Sequence, residues 1–373
     1  MSSDQNHAQE ILQGNVAFTN KLYQILSRKP GNVFFSPFSL HVILAMAYQA
    51  TGTETLESIQ KVLEIPDPLN TAIGYKQIIR NLTSLKNGFL HTAFKIYLDK
   101  EKQLLPSFAS TVKEYFDSEV ELADFKKPTE TAKKANEWVA EIHTEKSDRS
   151  SPKNPLCDWD SPFSENKTRE MPFYLNDESV VQVQMMTGRK NASYKFDEQL
   201  NCQILVLPYC NNGIKMVILL PKEKNGIGNL EAALSQMDLS EIFTNLRRRE
   251  VDVSLPKFKF GTSIELNDVV KEMGLAVMYD EVNADFKKMI RLGAEQNLYV
   301  SKILQKACIE VNEKGAEAAV VTVIEMQVEV CCTYVQKSNY KFVVDHPAIF
   351  MIVAGKPKNT NILFYGRLYH PKY

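Results

Sequence analysis

The sequence predicts an α+β fold with large mixed or antiparallel sheets. Helical periodicity is concentrated early, apolar strand runs are concentrated late, and no regular βαβ alternation links them. Its 373 residues are 44% apolar and 24% charged, an ordinary globular composition with material for a large core. Length alone leaves one large domain or two ordinary ones. No polar low-complexity linker and no internal repeat interrupts the chain, which favours a single domain over residues 1–373.

Residues 8–27 place Ile11, Leu12, Val16, Leu22, Tyr23 and Leu26 at mostly helical spacing, an amphipathic opening helix. "GNVFFSPFSLHVILAMAYQATGTET" then reads as a short strand, with Ser36 and Pro37 at the cap and first turn of a helix apolar on all sides and therefore buried. Gly52 ends that helix and Thr53 starts another. "QILVLPYCNNGIKMVILLP" reads as two strands around an Asn212-Gly213 turn. "VDVSLPKFKFGTSIELNDVVKEMG" reads as a strand leading into a helix opened by Thr262 and Glu265 at capping-box spacing. "FVVDHPAIFMIVAG" and "NILFYGRLYHP" close the chain as an aromatic-rich hairpin.

Lys plus Arg total 44 against 45 Asp plus Glu, so the net charge of -1 offers no general attraction to nucleic acid or to an acidic membrane. The densest basic run, Arg247, Arg248 and Arg249, is bounded by Glu250 and reads as a solvated surface turn. No stretch is long and apolar enough to cross a bilayer. Met1 is followed by "SSDQNHAQE", without a basic start or an apolar signal core, so a cytoplasmic location is expected; an extracellular one is the alternative if the native precursor starts elsewhere. Cys157, Cys202, Cys210, Cys308, Cys331 and Cys332 show no CxxC spacing and read as free thiols, with neither a zinc site nor a disulfide scaffold. Sequons at Asn81, Asn166 and Asn191 matter only in a secreted protein.

Nucleophile elbows, phosphate loops and metal-ligand spacings are absent, and the six histidines are scattered, so no enzyme, metal or cofactor is expected. Asp345 beside His346 resembles half of a catalytic pair, but neighbours on a strand point to opposite faces.

"EKGAEAAVVTVIEMQVEVCC", residues 313–332, is the most informative stretch. Its even positions, Ala316, Ala318, Val320, Thr322, Ile324, Met326 and Val328, are small or apolar; the charges at Glu317, Glu325 and Glu329 all fall on odd positions. That alternation describes a half-buried strand. A permanent core strand is one interpretation. The low-bulk hinge of Gly315, Ala316, Ala318 and Ala319 before it and the polar "CCTYVQKSNYK" after it describe instead a loop able to become a strand.

In "GNVFFSPFSLHVILAMAYQATGTET", "EVNEKGAEAA" and "DHPAIFMIV" followed by "ILFYGRL", the chain resembles the serpin family over nearly its whole length. The resemblance implies one α+β domain with three β-sheets, about eight or nine helices and an exposed reactive loop at about 313–340. It also implies inhibition of a serine protease as a suicide substrate. The protease cleaves the loop and is held as an acyl-enzyme while the hinge, Gly315, Ala316, Glu317, Ala318 and Ala319, leads the freed strand into the main sheet. Burying Val320, Ile324, Met326 and Val328 at about 1.5–3 kcal/mol each would release on the order of 6–12 kcal/mol, so the intact form is metastable.

Counting fifteen residues from Gly315, as the family does, puts the scissile bond at Glu329–Val330, with Val330–Cys331 or a bond after Tyr334 as alternatives. The expected partner is accordingly a Glu-specific, elastase-like or chymotrypsin-like serine protease, and the protein is expected to be a monomer. Ser36 and Ser39 resemble the family's shutter beneath the main sheet, Trp159 the tryptophan at its top, and Gln305 stands where the shutter has a histidine. Lys76 and Arg80, in the region where some serpins bind heparin, are too few for such a site.

One departure bears on mechanism. Before Trp159 the family carries a long apolar strand, whereas this chain has the polar "IHTEKSDRSSPKNPLCD", unsuited to a central strand. The alternative is therefore a spliced or non-inhibitory serpin that binds partners or is cleaved without trapping. An intracellular scaffold that presents its loop as an added strand is a third possibility.

Overall fold

The computed structural model describes residues 3–84, 95–127, 158–210, 213–291, 297–315, 340–357 and 359–373. The amino-terminal part is helical, as its periodicity requires. Helix α1 (Ser3–Leu26) precedes the short strand β1 (Val33–Phe35), then α2 (Pro37–Tyr48), α3 (Thr53–Leu63) and α4 (Pro68–Thr83). Ser36 caps α2, its side chain accepting from the Ser39 amide, and Pro37 occupies the first turn. Burial of α2 on nearly every side agrees with its apolar sequence. Gly52 caps α3. Gly74 permits close approach of α4 to α1, since a Cβ there would stand 2.4 Å from Ile11 Cδ1.

His41, at the α1–α2–α4 junction, is fully buried. Its Nε2 donates to the Leu63 carbonyl at 3.1 Å, so Nδ1 accepts from the Tyr75 hydroxyl, and Phe18 meets the ring edge-on. Burial pushes its pKa down to about 4.

The remaining elements in chain order are β2 (Lys95–Asp99), α5 (Pro106–Phe116), β3 (Glu119–Ala123), β4 (Arg169–Tyr174), β5 (Val180–Asp197), β6 (Cys202–Pro208), β7 (Ile214–Pro221), α6 (Ile227–Leu234), β8 (Arg247–Pro256), β9 (Phe258–Glu265), α7 (Asn267–Val270), β10 (Leu304–Val311), β11 (Tyr340–Val343), β12 (Ala348–Ala354) and β13 (Asn361–Leu368). With β1 and α1–α4 they make up three sheets and seven α-helices among the described residues, slightly fewer helices than expected. The large sheet runs β1-β13-β12-β7-β6-β5-β8-β11, with β4 on β5. The others are the parallel ribbon β2–β3 and the antiparallel ribbon β9–β10.

Every residue of β12 is buried because the large sheet is covered on both faces. Tyr23 of α1 packs with Phe35 and Tyr365 on one side, while Phe34, Phe258, Phe260 and Phe350 form an aromatic cluster that fixes ribbon β9–β10 to the sheet. Among the described residues no helix is long and apolar enough to cross a membrane.

Three local expectations are corrected. Thr262 and Glu265 do not open a helix: both lie in β9, where Thr262 Oγ1 donates to the Phe34 carbonyl at 2.6 Å, and α7 begins only at Asn267. Tertiary pairing with β10 overrides the capping-box pattern. Arg247, Arg248 and Arg249 start strand β8 rather than forming a turn, paired with Tyr194, Ser193 and Ala192 of β5. The β6–β7 hairpin forms, but the Tyr209 amide bonds to the Ile214 carbonyl, so its loop is longer than a two-residue turn; Asn212 lies outside the described residues.

Candidate functional site

The segment expected to act as a hinge starts at Gly315, just beyond the end of β10. Asn312 donates its backbone N–H to the Gly315 carbonyl at 2.8 Å, and its side-chain Oδ1 accepts from the amides of Lys314 at 3.0 Å and Gly315 at 3.2 Å. Such a side-chain cap is what an asparagine offers a tight reversal. Asn312 and Gly315 thus form the first rung of a turn with Glu313 and Lys314 at its tip.

Residues 158–163 grip this turn from the other side. Trp159 donates its amide to the Lys314 carbonyl at 2.7 Å and its indole Nε1–H to the Asn312 carbonyl at 3.0 Å, while the Phe163 amide donates to the Glu313 carbonyl at 2.8 Å. Asp158 forms an antiparallel bridge with Gly315. Trp159 is buried, stacked on Tyr209 with ring centroids 4.5 Å apart and planes 9° from parallel.

The Glu313 side chain is buried and paired. Thr168 Oγ1 donates to Oε1 at 2.7 Å and Lys257 Nζ stands 3.0 Å from Oε2. Burial alone would raise its pKa, but the Thr168 hydroxyl and the Lys257 ammonium outweigh it and hold the carboxyl below its ordinary range.

At the far end of β10, roughly 20–25 Å away by the rise of a strand, lies a second polar cluster. Ser36 Oγ donates to the Leu363 carbonyl at 2.7 Å and lies 2.8 Å from Ser39 Oγ. The Gln305 amide meets the Ser36 backbone twice: Oε1 accepts its N–H at 2.9 Å and Nε2 donates to its carbonyl at 2.8 Å. Gln305 therefore ties β10 to the start of α2.

Gly315, Ser36, Ser39, Trp159 and Gln305 thus fall on the two ends of one strand, whereas Ala316, Glu317, Ala318, Ala319, Glu329 and Val330 lie outside the described residues, as does the polar segment before Asp158. Sequence reasoning missed Asn312, Thr168 and Lys257. Glu313 stood in the hinge motif, but its partners are distant in sequence and no local pattern marks them. Asp345 and His346 do meet, Nδ1 to Oδ1 at 2.7 Å, because they sit in the connection after β11 and not on a strand. His346 Nε2 donates to the Pro221 carbonyl at 2.8 Å, so both ring nitrogens are engaged within the fold.

The α+β frame of three sheets is the architecture that the resemblance implied, and comparison with known proteins shows the family. The family model described as Serpin (serine protease inhibitor) matches residues 13–150 and 156–371. The chain belongs to the serpin family. It is 30% identical over 370 residues to a leukocyte elastase inhibitor of Xenopus laevis, covering 91% of this chain and 93% of that protein. It is 30% identical to antichymotrypsin-2 of Bombyx mori, covering 98% of this chain and 99% of the relative. Among solved structures, Serpin48 of the insect Tenebrio molitor, described as highly specific, superposes with a TM-score of 0.81 at 29% identity, covering 98% and 99% of the two chains.

Proposed function

We propose that this serpin, one domain over residues 1–373, inhibits a serine protease as a suicide substrate by loop cleavage, acyl-enzyme trapping and insertion of residues 316–328 beside β10. The observation that carries the proposal is the Asn312–Gly315 turn. Its N–H···O bond is the rung that would close a hairpin, so a strand inserted after Gly315 would run back along β10.

Continuing that register places Ala316 opposite Val311, Ala318 opposite Ile309, Val320 opposite Ala307 and Thr322 opposite Gln305. Directly opposed residues share a face. Val311 and Ile309 are buried, whereas Cys308 and Leu304 are exposed. The even, apolar positions of the loop therefore match the inner face of β10, the parity that the loop sequence itself prescribes. The hinge comprises Gly315, Ala316, Glu317, Ala318 and Ala319. Ser36, Ser39 and Gln305 form the shutter that must yield as the strand enters.

The cut is assigned to Glu329–Val330, for a protease with a basic specificity pocket; the alternative cut at Val330–Cys331 would suit an elastase-like one. A second function, cleavage without trapping, is favoured by the polar segment before Asp158 and by the interruption of the family match between residues 150 and 156. The deciding experiment nicks the loop with a panel of serine proteases. A covalent adduct on a denaturing gel and a large rise in the melting midpoint of the nicked protein are expected. A nicked protein that melts no later than the intact one, with no adduct, would reject inhibition.

A further inference from the structure

The segment that grips the hinge rests on a buried lysine. Lys190 of β5 is 5% exposed. Its Nζ donates to the carbonyls of Ser161 at 2.5 Å and Pro162 at 2.7 Å and stands 3.9 Å from the centroid of the Phe163 ring. Among the described residues no carboxylate pairs with it. The charged side chain acting on it is Lys167, of like sign. Arg189 points to the other face of β5 and is paired with Asp252, while Lys257 and Glu313 satisfy one another at the hinge. Two carbonyl dipoles and one ring face therefore stand in for a counter-ion and for the water that an ammonium loses on burial.

The same three residues, 161–163, carry the Phe163 amide that holds Glu313. Trp159, a few residues earlier, holds Asn312 and Lys314. If this grip gives way as a strand enters beside it, the two carbonyls and the ring over Lys190 move with it, since Phe163 belongs to both sets of contacts.

We propose that Lys190 is a positioning residue for hinge entry, a buried charge with no counter-ion among the described residues that biases the segment 158–163 toward release. Its consequence for insertion rests on the function proposed above. Burial, reinforced by Lys167, brings its pKa down to about 8, in keeping with an ammonium better solvated outside than in. Because the folded value lies below the ordinary 10.5, a rise in pH from about 8 toward 10.5 should stabilise the closed form.

The test uses the full-length chain with Lys190→Met, which keeps length and ring contact without charge; Lys190→Gln replaces it if the methionine variant does not fold. At pH 7 the uncut variant is expected to melt about 2–4 °C above wild type. The gap should close as the pH is taken to about 10. A variant that melts at or below wild type at pH 7, or a gap constant with pH, overturns the proposal. After nicking with a Glu-specific endoprotease, the tryptophan fluorescence change should be slower in the variant by about tenfold, one pKa unit carried into the barrier. An unchanged rate removes Lys190 from hinge entry. If nicking raises the melting midpoint of neither protein, insertion itself fails, while the pH comparison on uncut protein still decides whether Lys190 loads the grip.

Discussion

Replacing Lys257 by methionine removes the ammonium that faces Glu313 at the root of the hinge. The two side chains are only 18% and 9% exposed, so the surviving carboxylate cannot simply be hydrated. Breaking a buried ion pair by deleting one partner costs about 3–5 kcal/mol. Here the Thr168 hydroxyl still donates to Glu313, and Lys257 keeps some contact with water, which reduces the expected loss to about 2 kcal/mol. With an unfolding entropy of about 2.1 cal/mol/K per residue, that loss lowers the melting midpoint by about 2–3 °C.

The pH dependence supplies a second check on the same substitution. The Glu313 carboxyl has a folded pKa below its ordinary 4.5, so its stabilising contribution is present above 4.5 and lost as the pH falls through the folded value. The difference between wild type and Lys257→Met should be full at pH 7 and shrink below pH 4.5. Differential scanning calorimetry at both pH values measures it. An equal midpoint at pH 7, or a gap undiminished well below pH 4.5, would refute the assignment of this pair as a hinge anchor.

The remaining predictions concern the shutter, the loop and the helical junction. Gln305→Ala leaves the Ser36 N–H and carbonyl without the amide that meets both, and should reduce stability by about 2 kcal/mol in urea unfolding; an unchanged midpoint would show that water replaces the side chain at no cost. Ala316→Glu should leave the circular dichroism spectrum unchanged while abolishing the covalent protease adduct, since a carboxylate would be carried to the inner face of β10; an undiminished adduct counts against the proposed register. His41, with a folded pKa of about 4 against 6.5, stabilises the fold above pH 6.5 and withdraws up to about 3 kcal/mol as the pH falls from 6.5 to 4. A His41→Gln variant should therefore lose less stability than wild type between pH 7 and pH 5, and parallel losses would show that His41 does not titrate in this range.

Local pattern was sufficient for much of this molecule. The apolar α2 with its Ser36 cap and Pro37, the break at Gly52 and the closing strands were all legible, because each depends on residues within a few positions of one another. What failed was local in form but non-local in cause. Thr262 and Glu265 have the spacing of a capping box, yet eight residues of β10 pair along β9 and make the segment a strand. The rule that neighbours on a strand diverge separated Asp345 from His346, yet both lie beyond the end of β11, where the rule does not hold.

The amino-acid order by itself determined the family and the α+β class, since backbone periodicity and apolar alternation are properties of adjacent residues. Only the tertiary structure decided what holds the hinge: Thr168, Lys257 and the Trp159 segment around Glu313, Gln305 on Ser36, and Lys190 under Phe163. These contacts join residues far apart in the chain, and whether a charge there is paired or left without a counter-ion depends on which distant side chain the folded sheets bring to it.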